Sequence, residues 1–255
     1  MVLVVDIGNT NIKIGIWKDD KLIVQAKAST DRLKTTDEYA IVFKGIFDLH
    51  KINPKEITGV AISCVVPQIA YQVKKSISLL TGVSPLEVNA TTKTDLSIKI
   101  DNPETLGADL LVSGVACCEL YPVPCIVISL GTATTLMVID KDKNMRGGII
   151  MPGMSLSLNA LTQRSSLLPS IGFEAPKKVI GTNTADCMRS GSVIGTAAMI
   201  DGLCDRIEEE LGQNCTVVAT GGLSSMTIPN CKRNIILDST LMLKGLKIIY
   251  DKNKN

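Results

Sequence analysis

Aromatic side chains are scarce in this chain: one Trp, four Tyr and three Phe among 255 residues. Binders of single-stranded nucleic acid stack bases on such rings, so that function is poorly supplied. A net charge of +2 also lacks the electrostatic footprint of a nucleic-acid binder. Histidine occurs once, as His50, near the end of the helix-like stretch YAIVFKGIFDLHKIN. A single imidazole argues against Ser-His-Asp chemistry and His-rich zinc sites. His50 is read instead as a charge placed to complement a helix C-terminus. No apolar run reaches the ~18 residues that a membrane helix needs. The opening MVLVVD has no basic region and reads as a strand, not a signal peptide. The cysteines at 64, 117, 118, 125, 187, 204, 215 and 231 include no CxxC and sit mostly in apolar runs. They are expected to be reduced, buried thiols of a cytoplasmic protein, not disulfides or metal ligands.

What is present is a large apolar fraction, 45%, against 20% charged residues, enough for the packed core of one large or two small domains. The stretch MVLVVDIGNTNIKIGIW runs an apolar strand into an acidic residue, turns on a glycine, and starts a second strand. It is neither a Walker loop nor a dinucleotide fingerprint, because no helix follows. The spacing predicts strands over 2–6, 11–17 and 21–28, a helix near 36–50, and a strand 57–66 stopped by Pro67. A helix 68–81, a short strand 85–88 and a helix 107–120 follow.

The opening pattern then returns. IVISLGTATTLMVID, residues 126–140, is again strand, small-residue turn and strand, and MRGGIIMPG is a third strand. Aligning the turns puts Gly8 on Gly131 and Asp6 on Ser129. Helices are predicted at 153–163, 184–211 and 239–250, with a strand and turn in TVVATGG, 216–222. The helix 184–211 carries Val193, Ile194, Met199, Ile200 and Leu203, a stripe that suits a subunit interface and a monomer core equally. A repeated unit of three strands followed by helices implies two related α/β domains with mixed sheets, divided near 108–122; they are taken as 1–115 and 116–255. Glycine turns allow close backbone approach, and N–H groups with Thr hydroxyls suit phosphate oxygens. Asp6, at a strand end, suits Mg²⁺ held through water. Any one of these turns alone is a plain hairpin more often than a phosphate site.

Six stretches carry a resemblance: DIGNTN, DNPETLGADL, LGTATT, GGIIMPGMSLSLNAL, IGTNT and ATGGL. In this order the chain resembles the type III pantothenate kinases over nearly its whole length. The resemblance implies duplicated ribonuclease-H-like (actin-like ATPase) domains with mixed five-stranded sheets flanked by helices. It implies ATP-dependent phosphorylation of pantothenate to 4'-phosphopantothenate, the first step of coenzyme A biosynthesis. It further implies Mg²⁺, a monovalent cation (K⁺ or NH4⁺), a homodimer, and the bacterial cytoplasm. By the same resemblance Asp6, Ile7, Gly8, Asn9, Thr10, Asn11, Ile12 and Lys13 match the first phosphate motif, with Asp6 serving the metal. Gly131, Thr132, Gly221 and Gly222 match nucleotide contacts. Gly107, Ala108, Asp109 and Leu110 match the pantothenate loop, Asp109 its catalytic base, and Thr184 a substrate contact. These roles agree with phosphoryl transfer, which asks for positioning, charge neutralisation and a carboxylate at the acceptor hydroxyl. Read without the family, Asp109 is a first-turn helix acid.

Three positions depart from the family pattern. Leu110 stands where the family has Arg, Ser129 where it has the Asp of the monovalent-cation site, and Ile100 where a Tyr is common. Leu cannot supply the donor fork of Arg, and Ser has no charge for K⁺. Two alternatives follow: a kinase for another small hydroxyl compound, and a non-catalytic relative such as a Baf-like accessory factor. Nothing in the sequence forms a basic recognition helix.

Overall fold

The computed structural model describes residues 1–254. The first sheet is built from β1 (Val2–Ile7), β2 (Asn11–Lys18), β3 (Lys21–Ser29), β4 (Gly59–Cys64) and β5 (Leu86–Glu87), in the order β3-β2-β1-β4-β5. Strands β1 to β3 are antiparallel neighbours, whereas β4 and β5 continue parallel to β1. Helix α1 (Thr36–Leu49) opens with a capping box between Thr35 and Glu38. His50 closes it with its own backbone, its N–H donating to the Ile46 carbonyl at 3.2 Å. Helix α2 (Pro67–Thr81) begins on the proline itself, in the first turn where an N–H has no intrahelical partner to lose, and ends on Gly82 at φ +81. Alternate residues Leu3, Val5 and Ile7 face a core shared with Tyr39, Phe43 and Phe47 of α1 and Val73 and Ile77 of α2. The pleat therefore turns Val4 and Asp6 to the opposite face.

After β6 (Ser97–Ile98) and α3 (Ala108–Leu120), the second sheet adds β7 (Cys125–Leu130), β8 (Ala133–Ile139) and β9 (Asn144–Pro152). Helices α4 (Met154–Arg164) and α5 (Thr184–Leu211) precede β10 (Thr216–Thr220), α6 (Ser224–Thr227) and β11 (Ile236–Leu237). The strand order is β11-β10-β7-β8-β9-β6. Apart from β6 this repeats the first sheet strand for strand, with the same parallel and antiparallel pairings. The second sheet thus has six strands where five were expected, because Ser97–Ile98 pairs with Asn144–Met145 at its edge. Its core joins Ile126, Ile128 and Leu130 to Ile200, Cys204 and Ile207 of α5.

Packing groups Met1–Leu96, Asp101–Glu119 and the chain from Thr240 in one compact unit, and Ser97–Ile100 with Leu120–Ser239 in another. The chain thus enters each unit more than once. Helix α7 (Leu241–Asn253) lies against β1, β2 and β4, and Gly59 is a glycine because a Cβ there would collide with the Tyr250 ring. Cys64, Cys187, Cys204, Cys215 and Cys231 are free thiols, and burial pushes Cys204 up to about 12 and Cys231 to about 11. Cys117 and Cys125 depart from the expectation of reduced thiols: they are disulfide-bonded. Among the described residues, no helix is long and apolar enough to cross a membrane.

Candidate active site

In the first unit, register decides which side chains meet. Asp6 pairs with Lys13 on β2 and with Ser63 on β4, so all three lie side by side on one face of the sheet. Lys13 Nζ is 3.3 Å from Asp6 Oδ2. Asp6 is 4% exposed and Ser63 fully buried. Asp6 Oδ1 and Ser63 Oγ each lack a hydrogen-bond partner. Asp109 lies in the first turn of α3, where its Oδ1 accepts the Leu110 N–H at 2.9 Å.

The turn after β1 closes on itself. Gly8 N–H donates to the Asn11 carbonyl at 3.1 Å, and Thr30 Oγ1 donates to the Gly8 carbonyl at 2.6 Å. Asn9, Thr10 and Asn11 are exposed at the tip, with Asn9 Oδ1 accepting from Arg32 at 3.3 Å. Ile7 and Ile12 are wholly buried in the core under α1 and α2, so only their backbones face outward.

In the second unit the corresponding turn is one residue shorter. Gly131 N–H donates to the Ala133 carbonyl at 3.0 Å, and Gly153 N–H to the Thr132 carbonyl at 3.0 Å. Gly221, at φ +109, lies so close to the Leu130 backbone that a Cβ would collide with it. Gly131, Thr132 and Gly222 are exposed. Ser129 is opposed by Thr135 on β8 and Thr220 on β10, so no charge stands where Asp6 stands in the first unit. Ile100, half-buried just after β6, and Thr184, exposed at the start of α5, belong to this unit; Gly107, Ala108, Asp109 and Leu110 belong to the other.

The type III pantothenate kinase model matches residues 2–206. The chain is 40% identical, over 253 residues, to the type III pantothenate kinase of Halalkalibacterium halodurans, covering 99% of this chain and all of that one. The chain belongs to the type III pantothenate kinase family. Solved structures agree on the fold. A Baf family protein of Campylobacter jejuni matches with TM-score 0.61 at 18% identity, over 98% of each chain. MreB 5 of Spiroplasma citri, solved with AMPPNP, matches with TM-score 0.56 at 11% identity, over 98% of this chain and 96% of that one. At such identities the likeness is one of fold alone, the fold of actin-like and sugar-kinase ATPases.

Two carboxyls of the first unit are shifted from their ordinary range. Burial pushes the Asp6 carboxyl above its ordinary range; the Lys13 ammonium holds it down, and the charge of Asp109 pushes it further up. Asp109 is raised by burial too, against the Leu110 N–H and Lys13. Asp6, Lys13 and Asp109 are therefore one electrostatic cluster, drawn from β1, β2 and α3. Among the described residues no group of three or more His, Cys, Asp or Glu could hold a metal. One buried carboxylate with an unpartnered oxygen fits Mg²⁺, which keeps most of its waters and takes one or two carboxylates. Ser63 escaped the sequence reading, since ITGVAISCVV reads simply as a strand stopped by Pro67. Its signal was a hydroxyl in a fully buried strand beside the one ending in Asp6.

Proposed function

We infer that this chain transfers the γ-phosphoryl group of ATP to the hydroxyl of pantothenate, giving 4'-phosphopantothenate for coenzyme A biosynthesis. Family membership supports the reaction, and the Asp6–Lys13–Asp109 cluster is the observation that carries the site. Asp109 is proposed as the base: it orients the acceptor hydroxyl and takes its proton as the new P–O bond forms. Lys13 offers positive charge to the phosphates, and the turns Ile7–Ile12, Gly131–Thr132 and Gly221–Gly222 are proposed as nucleotide contacts. Gly107, Ala108, Leu110, Ile100 and Thr184 are proposed to contact pantothenate. Mg²⁺ held at Asp6 through water would neutralise phosphate charge when bound. Ser129, at the family's monovalent-cation position, predicts a weak response to K⁺. The two halves, 1–115 and 116–255, are proposed as duplicated domains of one ancestry, and the cytoplasm as the working compartment.

A homodimer is proposed as well. Val193 and Ile200 are buried within the second unit, but Ile194, Met199 and Leu203 are only half-buried. A groove of about 630 Å³ beside α5, lined by Met151, Met154, Leu158, Met188 and Met199, supports an apolar surface for a second copy. The deciding experiment is ADP release coupled to mass spectrometry, with pantothenate, ATP and Mg²⁺, with and without K⁺, beside a panel of small alcohols. Phosphopantothenate as the main product is the expected result. Turnover on another alcohol alone would support the altered-substrate kinase, and no turnover at all the accessory factor. Retention of both Asp6 and Asp109 weighs against that last reading. Light scattering tests the dimer.

A further inference from the structure

Among the described residues, Asp6 Oδ1, Ser63 Oγ, Trp17 Nε1, Gln72 Oε1, Arg189 Nε and Arg233 Nε are buried without hydrogen-bond partners. Both guanidinium groups pair through their other nitrogens, Arg189 with Glu174 and Asp186, Arg233 with Asp205 and Glu208. Asp6 and Ser63 differ from the rest: they are partners in one register, on adjacent parallel strands, and their oxygens are orphaned together. The Ser63 hydroxyl lies near enough to help hold the Asp6 carboxyl down, yet neither it nor Asp6 Oδ1 makes a well-formed hydrogen bond. Buried polar atoms are nearly always satisfied, and a gap between two of them is filled by water where two to four polar partners converge. Here Lys13, on the other carboxylate oxygen, fixes the orientation that aims Oδ1 away from the ammonium.

We propose that Ser63 is a positioning residue of the phosphoryl-transfer site, whose hydroxyl and Asp6 Oδ1 together hold one water of the divalent cation's shell. This rests on the reading of Asp6 as the cation's anchor. A hydroxyl suits the task because it can accept from that water or donate to the carboxylate as the water reorients. At a fully buried position Ala would leave Oδ1 bare, while Thr would keep the hydroxyl at the cost of one added methyl. The second unit holds a hydroxyl at the same place, Thr220, but faces it with Ser129, so the cradle for a cation's water is specific to the first unit.

The test is Mn²⁺ binding with a non-hydrolysable ATP analogue, read by electron paramagnetic resonance, on wild type and the variants Ser63→Ala, Ser63→Cys, Ser63→Thr and Asp6→Asn. Outer contacts of a metal site are commonly worth about ten- to a hundred-fold in affinity. Ser63→Ala and Ser63→Cys should weaken Mn²⁺ by at least about ten-fold, with Ser63→Thr close to wild type. The Mg²⁺ concentration for half-maximal activity should rise in parallel, while KM for pantothenate stays put. A role in packing alone would lower Tm and leave Mn²⁺ affinity untouched, which overturns the proposal. Should Ser63→Ala fold poorly, the isosteric Ser63→Cys carries the measurement. If Asp6→Asn abolishes Mn²⁺ binding and both Ser63→Ala and Ser63→Cys bind normally, Ser63 alone has been misassigned. If Asp6→Asn also binds normally, the anchor itself is wrong.

Discussion

The two hairpins β1–β2 and β7–β8 share one backbone plan and differ in charge. Each ends a central strand, turns on a glycine and returns antiparallel, with a parallel neighbour alongside. In the first, the equivalent positions hold Asp6, Lys13 and Ser63; in the second, Ser129, Thr135 and Thr220. The strand order is the same, so the fold does not dictate the chemistry. A buried carboxylate is costly and is kept where a cation repays it. The first hairpin keeps one beside an ammonium, and the second keeps only hydroxyls. At these equivalent positions the first hairpin carries charge and the second neutral hydroxyls.

The sharpest break in that asymmetry is at Asp109, which adds a second carboxylate to the charged unit and none to the other. Asp109→Asn keeps the shape and the helix-end hydrogen bonding while removing the proposed base. Turnover should fall by about 10²–10⁴. Nucleotide affinity, measured by calorimetry, should hardly change. A variant that turns over like wild type would leave Asp109 as a helix-end acid and nothing more.

Leu110→Arg tests the same helix one residue on. If the pocket accepts the donor fork, a hydrogen bond to a charged group is worth roughly 1.5–3 kcal/mol, about ten- to a hundred-fold in KM for pantothenate. KM for ATP should stay unchanged, because neither hairpin is touched. A lower Tm with no gain in KM would show that the pocket has been rebuilt around Leu110 and buries the new charge without a partner.

Ser129→Asp copies the first unit's charge into the second. Ser129 is half-buried between Thr135 and Thr220, so the new carboxylate has hydroxyls but no ammonium beside it. It should recruit a monovalent cation and make turnover depend on K⁺, a gain of a few-fold, while pantothenate affinity stays level. Titrating K⁺ against both proteins checks this; a wild type already strongly stimulated by K⁺ would show that other groups supply the site.

Much of this contrast was legible in the sequence, for a physical reason. Hairpins announce themselves by alternation and glycine, so DIGNTNIKIGIW and SLGTATTLMVID align on sequence alone. Ser97–Ile98 and Ile236–Leu237 went unseen, since two residues show no period, whereas the equally short Leu86–Glu87 falls within the predicted 85–88. Pro67 was read as a strand stop, but it is also the first residue of α2, since its missing N–H costs nothing there. The return of α7 to the first unit was invisible because sequence order says nothing about which sheet a late helix covers. Asp6 and Asp109 were each legible as motif residues. That Lys13 acts on both, and that Ser63 stands beside them, depends on register and on the placement of α3.

Removing the ammonium from the first hairpin is the converse experiment, and Lys13→Met does it while keeping the length of the side chain. Burial raises both carboxyls, and Lys13 is the cation that holds each of them down. Without it both should rise further. A base works only when ionised, so kcat/KM falls as pH drops through the Asp109 pKa, and the acid limb of Lys13→Met should lie at higher pH than that of wild type. Stability moves the other way along the pH axis. A carboxyl whose folded pKa is raised binds its proton more tightly when folded, so its contribution is full below the unfolded value and is lost as pH rises through the folded one. Lys13→Met should therefore lose more Tm than wild type between acid and neutral pH. Lys13→Arg, which keeps the charge, should restore both profiles. If the acid limbs of wild type and Lys13→Met superimpose, Lys13 does not set the charge of Asp109, and the first hairpin's ion pair is structural, no more tied to catalysis than the neutral hydroxyls of the second.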